Sequence, residues 1–190
     1  MKTNFKHMRR ILLTTAMLIL AIQSQAQIFG TGQTLSTGKF NLGVMPTAMI
    51  YSGENEHTLY VQAGYGLTSG IDLALRLNLL DEQNYLGADL EFALKRNVSI
   101  STGFHSFNDN FGLDFTGMFT LPLTSTARFT SGLDMDIIFA EGENLAPLWI
   151  PLNFEVDIKR NIAFMLEADI DTRLFDKSYH LISGGLQFYF

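Results

Sequence analysis

The sequence predicts an all-β fold, a ten-stranded antiparallel transmembrane β-barrel, on three observations. Ten runs along the chain alternate apolar with polar or small residues, the period-2 signal of a strand with two unlike faces. Past Ser24 no apolar run approaches the roughly 20 residues of a membrane helix, yet 47% of the chain is hydrophobic, so the apolar content is spread through the alternation. Between the runs, tight and longer connections strictly alternate, the pattern of a barrel with short turns at one end and loops at the other.

The N-terminal 26 residues read as a secretory signal. Lys2, Lys6, Arg9 and Arg10 precede the apolar run from Ile11 to Ile22, and Ser24-Gln25-Ala26 suits cleavage before Gln27. The run is too short for a confident span and leads into a small-residue site, so it is expected to be removed. Residues 27–38 follow as a polar lead-in that either hangs free or folds back into the barrel, and residues 39–190 form the barrel itself. The absence of cysteine excludes disulfides, thiol catalysis, zinc–thiolate sites and a lipid-modified cysteine at the cleavage site. Once the four signal cations leave, 9 of the 13 Lys and Arg remain against 19 Asp and Glu, a charge of −10 that makes nucleic acid a poor partner.

The strands are expected at 39–51, 57–67, 71–80, 85–94, 98–107, 111–123, 127–139, 148–158, 162–171 and 179–190. The tight turns are Thr68-Ser69-Gly70, Lys95-Arg96-Asn97, Thr124-Ser125-Thr126 and Lys159-Arg160-Asn161. Three of them end in Gly or Asn, which tolerate the left-handed conformation that closes a three-residue hairpin. The other connections, 52–56, 81–84, 108–110, 140–147 and 172–178, are generally longer and mostly acidic. An even strand count then puts both termini on the tight-turn side, the periplasmic side in a bacterial barrel.

Each strand keeps one parity apolar, as in Ile71, Leu73, Leu75, Leu77 and Leu79, or Ile162, Phe164, Leu166, Ala168 and Ile170. Eleven acids fall on the other parity: Asp72, Asp89, Glu91, Asp114, Asp134, Asp136, Glu155, Asp157, Glu167, Asp169 and Asp171. The other eight acids lie in the longer connections, so none lands on the apolar face. A charge facing lipid at the midplane costs about 2–4 kcal/mol, and a membrane would enforce this separation. The alternative, a soluble barrel with its apolar parity inward around a lipid, fails on volume. About eight strands leave just enough room for side chains, and the apolar parity is too bulky for a ten-stranded interior. The polar parity interleaves small residues such as Gly43, Gly64, Gly87, Gly103, Gly112 and Gly132, as a concave wall requires.

The last four residues, Gln187-Phe188-Tyr189-Phe190, form an aromatic strand end closing on Phe. With the secretory signal and the turn alternation, this end resembles the assembly signal of the small outer-membrane β-barrel proteins of Gram-negative bacteria. The resemblance implies residence in the outer membrane, contact with its lipid and lipopolysaccharide, and recognition by the barrel assembly machinery. It covers structural barrels, adhesins, narrow pores and a few enzymes, so the fold does not choose among uses.

The interior carries the chemical information. Eleven acids share it with Arg76, Arg128 and His105, an excess that calls for water and mobile cations, shifted protonation or a bound ion. Pairing through the turns sets Gln62 opposite Arg76, Glu91 opposite Ser101, Asp114 opposite Asp136 and His105 opposite Asp114. His105, Asp114, Asp134 and Asp136 gather toward the loop end as a candidate site for Ca²⁺ or Mg²⁺, with no other cofactor expected. A His–Asp pair could also activate water, as in the ten-stranded omptin proteases. Here the loops are short, no Asp-x-His pattern occurs, and Ser101 lies about 13 Å from His105 along the strand, so no enzyme is expected. The functional expectation is a non-enzymatic barrel with a water-accessible acidic lumen, structural or a narrow cation-preferring pore. The alternatives are an outer-facing barrel that binds divalent cations, lipopolysaccharide or a partner, and a hydrolase using His105 and Asp114.

Overall fold

The computed structural model describes residues 31–51, 54–80, 84–140, 142–172 and 179–190. The expected signal at 1–26, the first residues of the lead-in and parts of four loops lie outside the described residues.

Eleven strands form one antiparallel sheet: β1 Phe40–Tyr51, β2 Glu54–Thr68, β3 Ile71–Asn78, β4 Tyr85–Lys95, β5 Val98–Phe107, β6 Asn110–Pro122, β7 Ala127–Ala140, β8 Glu143–Leu145, β9 Leu148–Lys159, β10 Ile162–Asp171 and β11 Tyr179–Tyr189. Neighbours in sequence are neighbours in the wall, and β1 pairs with β11 to close the ring. The three-residue β8 stands outside the ring of ten. It lies along β7 at the loop end, with Phe139 opposite Asn144, where β9 has not yet begun to pair. This strand falls inside the loop expected at 140–147. Three residues are too few to show an alternation, so the sequence carried no sign of it. At the other long connection, β2 begins at Glu54 and absorbs most of the loop expected at 52–56.

The tight turns differ in detail from the expectation. Gly70, Asn97 and Asn161 do not adopt positive φ. Instead, Thr68 pairs with Ile71, Lys95 with Val98 and Lys159 with Ile162, leaving two-residue turns, and the register shifts by one residue on the first strand of each hairpin or beside it. The extra residue is taken up as a β-bulge, which adds twist where the wall must curve. Among the described residues the non-glycine left-handed ones are Asn108 (φ 47°) and Asp109 (φ 65°), which make a two-residue turn with Phe107 paired to Asn110. Positive φ at both central positions is the condition for the turn whose twist matches a hairpin.

The faces follow the parity of the sequence. Leu75, Leu90, Phe115, Leu133, Phe154 and Leu166 are exposed on the outer surface, Leu133 to 55%. Asp72, Asp89, Asp114, Asp134, Asp136, Glu155, Glu167, Asp169 and Asp171 are buried within. Aromatic pairs mark both rims of the outer face: Phe111 stacks on Phe139 at 6.0 Å at the loop end, and Phe40 meets Phe190 at 5.8 Å at the terminal end.

Candidate functional site

The interior is built in rows that run across the strands. Nearest the loop end, Arg76, Gly87, His105 and Gly112 are successive neighbours on β3 to β6. One row in, the sequence is Ala74, Asp89, Gly103, Asp114 and Asp136, on β3 to β7. The next row is Asp72, Glu91, Ser101, Thr116, Asp134, Trp149 and Asp171. The glycines give the charged groups somewhere to lie. A methyl at Gly112 would collide with the imidazole of His105, and one at Gly103 with the carboxylate of Asp89.

Within these rows His105 Nδ1 lies 2.5 Å from Asp114 Oδ1, both side chains essentially inaccessible. Trp149 Nε1 donates to Asp136 Oδ2 at 3.0 Å, and Thr116 Oγ1 donates to Asp134 Oδ1 at 2.5 Å. His105 Nε2, Asp114 Oδ2, Asp136 Oδ1 and both oxygens of Asp89 are buried without a hydrogen-bond partner. The structure thus brings His105, Asp114 and Asp136 together, with one ligand-type atom of each within 4.8 Å of the others. Asp134 lies one row away, bonded to Thr116.

One expected pairing is corrected. His105 stands opposite Gly112, and Asp114 opposite Gly103. Centring the turn on Asp109-Asn110 displaced the register by two positions, and the left-handed Asn108-Asp109 turn restores it. A slip of two preserves the face, which is why His105 and Asp114 still meet diagonally. The pairings Gln62 with Arg76, Glu91 with Ser101 and Asp114 with Asp136 stand as expected. With Nδ1 on Asp114 and Nε2 against Gly112 without a partner, no hydroxyl nucleophile sits on the imidazole.

Alongside these acids lies a group that polarity patterns alone do not announce. Met45 of β1, Tyr60 of β2, Tyr85 of β4 and Met165 of β10 form a buried apolar cluster, with Leu181 packed on it. Tyr60 and Tyr85 meet edge to face at 4.7 Å. Four ring strands separate β4 from β10 in either direction, so the cluster draws side chains from opposite walls. Methionines on the acid-bearing parity of β1 and β10 were the available signal, because a water-filled wall has no use for them.

Below this barrier a cavity of about 440 Å³ opens toward the terminal end, with Arg76, Asp89 and Met165 at its lining. Its mouth is crossed by residues 31–36. Gly32 N donates to Thr120 Oγ1 at 2.8 Å, Gln33 Nε2 to Asn97 Oδ1 at 2.9 Å, and Leu35 N to Asp72 Oδ2 at 2.8 Å. Gly66 lets this strap pass, since any side chain there would strike the carbonyl of Ser36. The described part of the lead-in is therefore folded back across the barrel mouth. Beside it, Arg128 holds Glu155 through Nε at 2.7 Å and Asp157 through Nη2 at 2.8 Å, and Tyr189 Oη donates to Glu155 at 2.6 Å. Asn153 Nδ2 donates to Glu167 Oε2 at 2.7 Å, while both oxygens of Asp169 lack a partner. At the chain end Gln187 is buried and Phe190 exposed, with Phe190 N bonded to Phe40 O.

A closed ten-stranded ring with apolar outer walls, aromatic rims and an acid-rich interior defines a protein with the fold of outer-membrane β-barrels. The solved NanC porin is similar to it with a TM-score of 0.52, at 10% identity over 76% of this chain and 98% of that chain. Outer membrane protein OprG from Pseudomonas aeruginosa gives 0.42 at 10% identity, over 85% and 99% of the two chains. The N-terminal barrel domain of Pseudomonas aeruginosa OprF gives 0.38 at 14% identity, over 82% and 100%. No family model matches the chain, and no curated protein matches it.

Proposed function

We propose that the protein is a non-enzymatic outer-membrane barrel that is sealed, and so serves a structural role rather than passive transport. The observation that carries this is the Met45, Tyr60, Tyr85 and Met165 cluster, which bridges opposite walls. Ions crossing such a plug would be stripped of water against thioether and ring carbon, so the acidic residues on either side do not make a conducting path. The lipid-compatible outer face and its aromatic rims support insertion in a bilayer. The chain is exported by residues 1–26 and recognised by the assembly machinery through Gln187, Phe188, Tyr189 and Phe190. Its tight turns and both termini then lie in the periplasm, and lipopolysaccharide contacts the loop-end rim. An imidazole at His105 with no hydroxyl nucleophile on it supports the absence of catalysis.

Planar-bilayer recording of the purified barrel tests the reading. The native protein should give no steady single-channel steps, whereas Tyr85→Ala combined with Met165→Ala should open a path and give small cation-selective ones. Stable cation-selective conductance in the native barrel would overturn the sealed reading in favour of the narrow pore.

A further inference from the structure

We propose that the sealed interior holds one divalent transition-metal ion, of the Mn²⁺ or Zn²⁺ class, between His105, Asp114 and Asp136, with Asp89 facing it from the neighbouring strand. The three ligands come from β5, β6 and β7, and one atom of each already lies within 4.8 Å of the others. Ligands about 2.1 Å from a shared ion stand about 3–4 Å apart, so closing on the ion needs shifts on the order of an ångström.

The unpartnered groups point to the same place independently. Asp89 is 1% exposed, neither of its oxygens has a hydrogen-bond partner, and its carboxylate lies over Gly103. Gly103 stands directly opposite Asp114, so only a residue without a side chain separates the two acids. Asp114 Oδ2 and Asp136 Oδ1 accept from no donor group, the two carboxyls lie within hydrogen-bonding reach of each other, and Trp149 Nε1 occupies the other oxygen of Asp136 and orients it. Buried carboxylates left this way cost far more than ones bound to a cation. Asp89, Asp114 and Asp134 lie within electrostatic reach of the Arg76 guanidinium, an imbalance that a divalent ion reduces. One imidazole with carboxylates favours Mn²⁺ or Zn²⁺, because Ca²⁺ and Mg²⁺ prefer oxygen alone. An ion can approach by the terminal-end cavity, which Asp89 lines at its inner end.

The test uses the full-length barrel, purified in detergent, stripped with chelator and titrated with MnCl₂ while free Mn²⁺ is read by electron paramagnetic resonance. One Mn²⁺ should bind per barrel and be displaced by Zn²⁺. Asp114→Asn with Asp136→Asn should weaken binding at least tenfold, and Asp157→Asn, which sits beside Arg128, should leave it unchanged. Absence of binding in the native protein, or equal affinity in the double variant, would overturn the site. Should the double variant fail to fold, the native protein decides by infrared spectroscopy. A carboxylic-acid band lost on adding Mn²⁺ supports the site, and one that persists means that protons, not metal, neutralise the acids. Bilayer conductance is independent of all these outcomes.

Discussion

His105 shows how far a single side chain depends on an absent one. The Nε2 end of its ring lies over Gly112 on the next strand, and the same device lets Asp89 lie over Gly103. Gly112→Val should therefore push the imidazole from Asp114 and overpack the wall, destabilising the barrel by about 1–3 kcal/mol. Urea unfolding in lipid vesicles measures this, and Gly117→Val serves as the comparison, since a methyl at Gly117 meets nothing. If both variants unfold at the same urea concentration, the packing of His105 on Gly112 contributes nothing. At this scale the sequence was informative about membership and silent about contact. The inward parity of His105, Asp114 and Asp136 was legible from alternation, whereas their distances depended on a turn and on which glycines lay between them.

At the scale of elements, the hairpin from β5 to β6 is the instructive case. Asn108 and Asp109 hold positive φ, which a β-branched side chain resists. Asp109→Val should cost about 1–2 kcal/mol, whereas Asp109→Gly should be neutral or stabilising, as read from thermal unfolding of the purified barrel. Strand positions were legible to within three residues throughout, because long alternating runs bounded by turn residues leave little freedom. Turn geometry was not. Gly70, Asn97 and Asn161 had the composition of left-handed positions, yet those hairpins absorb their extra residue as bulges. Composition reports which residues tolerate a conformation, and the curvature of the closed wall decides which conformation is used.

For the molecule as a whole, separation of the faces is the governing feature. Leu75→Arg places a guanidinium on the exposed outer surface and should cost about 2–4 kcal/mol in a bilayer, seen as lost heat-modifiable, folded protein. Asp169→Asn keeps a polar group inside and removes a buried carboxylate whose oxygens are unpartnered, so the folded yield should hold. Equal loss in both variants would reverse the assignment of faces. The fold class and the two faces were legible because a membrane tolerates few exceptions to alternation. The plug was not, because Met45 and Met165 are isolated apolar residues among polar neighbours, and their meeting with Tyr60 and Tyr85 depends on the ring being closed.

The closing seam carries a consequence for how the chain matures. Every other pair in the ring joins strands that follow one another along the chain, but β1 meets β11, with Asn41 opposite Tyr189. Hairpins can form locally and quickly, while this last pair must wait for segments far apart along the chain. Until then two long edges stand open with unpaired amides and carbonyls, an invitation to join another unfinished copy. Phe190 bonds to Phe40 through its backbone at that seam, so this pair is the clasp that ends the vulnerable period.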